Sequence, residues 1–131
     1  MDVKSLIVLA SKYTGVLKSN GAVARRAEID RCFEPATDRH LLLNHAMWQL
    51  MMVRHATDCV GGTSTALQLL GSAQGILLAT GLITVNEIWS ENRKWLDTAS
   101  ARAFDELIAR VGTNPTADNP SVSRPTSTSA V

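Results

Sequence analysis

Apolar residues recur every three or four positions along most of the chain, and this spacing predicts amphipathic helices and no strand. Five helical segments can be drawn, over about residues 3–18, 22–33, 37–58, 63–80 and 84–111. Residues typical of helix ends separate them, namely Asn20-Gly21, Pro35, Gly61-Gly62 and Gly81. We therefore expect an all-α fold, a small helical bundle of four to five helices.

The third segment is apolar on two sides. One side carries Leu42, Ala46, Leu50 and Val53, and the other carries Leu41, Trp48, Met51 and Met52. A helix of this kind is usually central, packed between neighbouring helices or between a neighbour and a second subunit. Because of this second apolar side, we expect a homo-oligomer.

The fifth segment begins with the most specific local signal in the chain. Thr84 is followed three residues later by Glu87, which is the spacing of a capping box, in which each side chain bonds the other residue's backbone amide. An apolar stripe then continues to Val111, and Gly112 provides a stop. The pattern predicts one straight helix over this whole stretch.

The fourth segment raises the question of a membrane span. Residues 66–85 carry no charge and are about as long as a bilayer is thick, and Gly71 and Gly75 have the spacing of a membrane helix contact. Gln68, Gln74 and Gly81 interrupt the apolar run, so we favour a water-soluble helix whose glycines let a neighbouring helix pack tightly. A small helical membrane protein remains an alternative.

Composition changes sharply at Gly112. The 131 residues are 45% apolar and 19% charged, which suffices for one core, and we expect a single helical domain over residues 1–112. Residues 113–131 are rich in Pro, Ser and Thr, so we expect a disordered tail there. Residues 1–10 lack the pattern of a signal peptide, and we expect a cytoplasmic protein with reduced thiols.

The charge balance argues against nucleic-acid binding. Lys and Arg number 13 and Asp and Glu number 12, which gives a net charge of +1. The cluster of Arg25, Arg26 and Arg31 is interleaved with Glu28 and Asp30, as on a solvated helix face. A nucleic-acid-binding regulator is therefore only an alternative.

Catalytic chemistry has no recognisable motif in this sequence, and we expect a protein that is not an enzyme and needs no cofactor. His55 and Cys59 are one helical turn apart and form a possible zinc half-site. Only Cys32, His40 and His45 could complete such a site, and no CxxC or HExxH motif is present. The sequence leaves metal binding by this pair undecided.

Polar residues that interrupt apolar stripes suggest where a ligand or partner binds. His45, Gln74 and Asn92 either form internal hydrogen bonds that fix helix register or line a pocket or an interface. Trp and Arg are over-represented at binding hot spots. The candidate binding residues are therefore His45, Trp48, Arg54, Gln74, Asn92, Arg93 and Trp95.

Several stretches resemble small accessory proteins encoded by tailed bacteriophages and prophages. They are Ala24 to Phe33, Asp38 to Trp48, Leu70-Gly71 through Gln74-Gly75, and Gly81, Thr84, Glu87 and Asn92-Arg93, within residues 24–93. Gln68 and Leu69 depart from the basic residue and Trp that these relatives carry. The resemblance implies a protein that binds its target stoichiometrically and inhibits a host factor or defence system, the partner being a host protein or a small signalling nucleotide.

Overall fold

The computed structural model describes residues 2–28, 30–94 and 96–112, and within them the chain forms five α-helices and no strand. The helices are α1 (Val3–Ser19), α2 (Arg39–Thr57), α3 (Gly62–Ala79), α4 (Val85–Arg93) and α5 (Thr98–Gly112). The all-α prediction is confirmed. Helices α1 to α4 belong to one compact unit and α5 to a second. The predicted tail, residues 113–131, lies outside the described residues.

The hydrophobic core lies between α1, α2 and α3. Its largest fully buried side chains are Tyr13, Leu6, Leu9, Leu17, Leu77 and Val53. Helix α2 packs against both α1 and α3, and Ala46, Leu50 and Val53 on one of its two predicted apolar sides are buried. The opposite side of α2 is only partly covered, since Met51 is 51% exposed. The prediction of a central helix is confirmed within this unit.

Glycine ends α1 and α3 in the same way. Gly21 and Gly81 both have a φ of +80°, a left-handed backbone conformation that residues other than glycine rarely adopt. After each glycine the next backbone N–H donates back into the last turn, from Ala22 to the Leu17 carbonyl at 3.1 Å and from Leu82 to the Leu77 carbonyl at 2.9 Å. These bonds satisfy carbonyls that the helix end leaves open, so both predicted stops are confirmed.

The predicted helix over residues 22–33 is wrong. Residues 22–28 form an extended segment whose alternate N–H groups bond to α2. Val23 N–H donates to Asn44 Oδ1 at 3.0 Å, Arg25 N–H to the Asn44 carbonyl at 3.2 Å, and Ala27 N–H to His45 Nδ1 at 3.0 Å. Partners on a distant helix thus replace the local bonds of a helix.

The predicted single helix from Thr84 to Val111 is also wrong, although its start is confirmed. Both bonds of the capping box are present, at 3.1 Å and 3.3 Å. Helix α4 then ends at Arg93, and Asp97 begins α5 by accepting the Ser100 N–H at Oδ1, 2.8 Å away. A side-chain cap of this kind favours a new helix start over continuation.

Residues 66–85 do not form one helix, because α3 ends at Ala79 and α4 begins at Val85. No helix in the described part of the chain is long and apolar enough to cross a membrane. The expected tight packing on Gly71 and Gly75 is wrong as well. Both glycines are exposed, and a Cβ atom added to either would meet nothing within 4 Å.

Candidate functional site

An aromatic cluster lies on α2 where residues 22–28 run beside it. The His45 ring stacks on the Trp48 ring with centroids 5.5 Å apart and an interplanar angle of 25°. The Arg26 guanidinium carbon lies 5.5 Å from the Trp48 ring centroid, within cation–π distance. Trp48 is half-buried, so the indole is held by its neighbours and still exposes part of its surface.

His45 is held neutral by its surroundings. Burial of the imidazole lowers the pKa of His45 below its ordinary value of 6.5, and the charge of Arg26 lowers it further. Its Nδ1 accepts the Ala27 N–H, and this is possible only while that nitrogen carries no proton. The protonation state of His45 is thus coupled to the attachment of the extended segment.

Lowering the pH should loosen residues 22–28. Because the pKa of His45 is lowered in the fold, the unfolded chain takes up the proton first as the pH falls. The stability that His45 contributes is complete above about pH 6.5 and is lost as the pH falls from there toward the lowered pKa. Hydrogen exchange at the Ala27 amide, corrected for intrinsic rates, should therefore accelerate below about pH 6.5. Equal acceleration in a His45→Gln variant would contradict this assignment.

A buried polar network joins three helices. The Gln74 amide nitrogen on α3 donates to Tyr13 Oη on α1 at 3.1 Å and to Asn92 Oδ1 on α4 at 2.8 Å. Gln74 is 7% exposed and Tyr13 is 1% exposed, and burial raises the pKa of the Tyr13 hydroxyl. The sequence left open whether Gln74 and Asn92 form internal hydrogen bonds or line a pocket or an interface, and in the structure they bond to each other.

A salt bridge joins α1 and α4 beside this network. Lys12 on α1 donates to Glu91 Oε1 at 2.5 Å, and this hydrogen bond lowers the pKa of the Glu91 carboxyl. Lys94 approaches the same oxygen at 3.5 Å. Lys12 and Lys94 are exposed, so these ion pairs add little to the stability of the fold.

A cleft of about 280 Å³ opens between α1 and α2, and we call it the α1–α2 cleft. The apolar part of its lining is formed by Ile7, Ala10, Leu50 and Met51. The polar part is formed by Ser11, Thr14, Arg54 and His55. No acidic side chain from the described part of the chain lines it. Of the predicted binding residues, Arg54 lines the α1–α2 cleft.

The Cys59 thiol of the predicted pair contacts the backbone of His55. Cys59 Sγ lies 3.6 Å from the His55 carbonyl oxygen, in contact with backbone, and both free thiols of the chain are exposed. Among the residues that the structure describes, no three His, Cys, Asp or Glu side chains are grouped to hold a metal ion. The two side chains instead contribute to an apolar pocket of about 300 Å³ near Met52 and Leu69.

The predicted binding residues lie in separate places. His45 and Trp48 form the aromatic cluster, Gln74 and Asn92 lie in the polar network, and Arg54 lines the cleft. Arg93 is exposed at the end of α4, and Trp95 lies outside the described residues. Arg26, Ser11 and Thr14 were not among the predicted residues, because each joins a surface feature only through its contact with α2.

A comparison of the chain with known protein families, curated proteins and solved structures gave no match. Two features present chemistry at the surface, the aromatic cluster around Trp48 and the α1–α2 cleft.

Proposed function

We propose that the protein is a phage-type accessory protein, not an enzyme, that binds a host protein stoichiometrically in the host cytoplasm and inhibits a host factor or defence system. The observation that carries the proposal is the aromatic cluster, in which Trp48 is fixed by Arg26 and His45 yet remains partly exposed. Trp and Arg are both enriched among the residues that dominate the energy of interface hot spots.

The charge of α2 indicates the kind of host surface that would bind there. Its 19 residues include two arginines and no Asp or Glu, and Arg26 lies over the Trp48 ring beside it. A helix surface of one sign attracts a surface of the opposite sign and repels others. The proposed partner is therefore a host protein with an acidic patch around an apolar pocket that accepts an indole.

Replacement of Trp48 by alanine should weaken binding of this partner by about thirtyfold or more. Truncation of a hot-spot side chain costs about 2 kcal/mol or more, which is about thirtyfold in affinity. Tagged wild-type and Trp48→Ala proteins would be incubated with host lysate, and native mass spectrometry would give the mass and stoichiometry of each complex. We expect a complex of fixed stoichiometry with the wild type and its loss with the variant.

Trp89→Ala is the matched control, because Trp89 is 39% exposed and lies on α4. It should keep the complex, and circular dichroism should show that both variants are folded. Equal retention of the partner by Trp48→Ala would refute the proposal. The same spectra report whether the free protein is a homo-oligomer, as the second apolar side of α2 suggests.

A sequestered signalling nucleotide is the second candidate, favoured by the cationic character of α2. Protein purified gently from its host would then carry extra mass equal to one nucleotide per binding site. A free protein without added mass, together with a protein complex lost in Trp48→Ala, would decide for the protein partner.

A further inference from the structure

We propose that the α1–α2 cleft is a binding site for a small amphipathic monoanion, with a carboxylate head and an apolar body. This site is separate from the proposed host-protein surface, because neither Trp48 nor Arg26 lines the cleft. The proposal therefore stands or falls independently of the proposed function.

The apolar part of the cleft provides a floor and a movable wall. Ala10 and Leu50 are buried and form the floor, whereas Met51 is 51% exposed on the same lining. A thioether side chain is flexible and polarizable, and it adapts to apolar ligands of different shape. Solvent-exposed methionine beside buried aliphatic groups would be covered by the body of a bound amphiphile.

The polar part supplies hydrogen-bond donors and no competing carboxylate. Arg54 makes no ion pair within residues 2–28, 30–94 and 96–112, so its guanidinium is available for a bidentate contact with a carboxylate. The Ser11 and Thr14 hydroxyls across the cleft also have no hydrogen-bond partner in the described part of the chain. In contrast, Ser19 bonds back to the Gly15 carbonyl of its own helix at 2.9 Å.

Helix capping gives an alternative explanation for Arg54, because basic residues in a last turn stabilise a helix through its dipole. The final carbonyls of α2 already have other partners. Thr57 Oγ1 donates to the Arg54 carbonyl at 2.7 Å, and the backbone N–H groups of Asp58 and Cys59 donate to the carbonyls of His55 and Ala56 at 3.2 Å and 3.1 Å. Because these carbonyls are already bonded, the end of α2 has less need of a capping cation. The same bonds weaken the negative field of the helix end, which would otherwise repel an anion.

The size and lining of the cleft narrow the class of ligand. Its volume of about 280 Å³ is just below the usual range of small-molecule sites, which favours a small ligand. Among the described residues no Trp, Tyr or Phe lines it, so a nucleobase would find only the smaller His55 ring to stack on. A single carboxylate on a short alkyl or aryl body matches one guanidinium, two hydroxyls and an aliphatic floor.

The experiment uses octanoate as the probe, with octylammonium and hexanoate as matched ligands. Binding is followed on the full chain by NMR, through the Met51 methyl signal and the amides of Ser11 and Thr14. We expect saturable shifts at these three residues with octanoate. Affinity should rise up to about fourfold for each methylene added between hexanoate and octanoate, and octylammonium should bind at least about tenfold more weakly.

The Arg54→Gln variant tests the cationic head site. It should weaken octanoate binding by about tenfold and leave octanol binding unchanged, because octanol uses only the apolar part. Arg39→Gln, on the same helix but outside the cleft, is the control and should change neither affinity. Equal binding of octylammonium and octanoate, shifts confined to residues elsewhere, or unchanged octanoate affinity in Arg54→Gln would each overturn the proposal.

Discussion

Replacement of Gly62 by alanine should destabilise the protein by about 3 kcal/mol or more. A Cβ atom at Gly62 would lie 1.5 Å from the Ala56 carbonyl oxygen and 2.6 Å from its carbonyl carbon. Both are backbone atoms of the last turn of α2, so no side-chain rotation can relieve the contact. The first turn of α3 would have to move away from α2, and the core between the two helices would open.

Urea unfolding followed by circular dichroism measures this loss, and Gly75→Ala is the matched control on the same helix. Gly75 is exposed, and an added Cβ atom there meets nothing within 4 Å. The control should therefore stabilise the protein by about 0.5–1 kcal/mol, the usual gain of alanine over glycine inside a helix. Wild-type stability in Gly62→Ala would show that α3 does not begin this close to α2.

Replacement of Gln74 by leucine should cost about 2–4 kcal/mol. The change keeps the side-chain size but removes the donor that serves both Tyr13 Oη and Asn92 Oδ1. Tyr13 is 1% exposed, so water cannot easily replace the lost partner, and an unsatisfied buried polar group costs about 1–3 kcal/mol. The substitution also weakens the attachment of α4 to α3, because Asn92 of α4 accepts a hydrogen bond from Gln74.

A double-mutant cycle separates this network from general packing effects. Tyr13→Phe and Gln74→Leu should show a coupling energy of about 1 kcal/mol in urea unfolding, because each removes one end of the same hydrogen bond. Gln68→Leu, exposed on the same helix, should change stability by less than about 0.5 kcal/mol. Strict additivity of the two buried changes would refute the bond between them.

Helix ends were predictable where their chemistry is local. Gly21 and Gly81 stop α1 and α3 because each residue's own backbone conformation decides the outcome. The Thr84 and Glu87 pair starts α4 because both partners of the capping box lie within one turn. Such signals depend on residues three or four positions apart, and the sequence displays them directly.

The errors arose where distant residues decide local structure. Residues 22–28 have a weak helical pattern, but their N–H groups bond to Asn44 and His45 on α2, and no periodicity indicates this. At Asp97 an apolar stripe favoured one long helix, while a single capping carboxylate favoured two, and the cap prevailed. At this boundary the capping residue was therefore a better predictor of the helix start than the continuous apolar stripe.

The candidate binding residues were predictable by type and not by grouping. Trp48 and Arg54 were selected because these residue types are common at binding sites, and each contributes to a surface feature. Gln74 and Asn92 were selected because they interrupt apolar stripes, and their bond to each other is internal. Helical spacing alone cannot tell whether such an amide faces solvent or another amide.

The attachment of residues 22–28 has a further consequence for affinity. Three hydrogen bonds to Asn44 and His45 hold the segment, and Val23 within it is 54% exposed, so its local opening costs much less than global unfolding. Opening would carry Arg26 away from Trp48 and create a second, uncovered conformation of the indole. If a partner selects one of the two conformations, its apparent affinity scales with that conformation's population. A substitution at Asn44 would then change binding strength without touching the bound molecule.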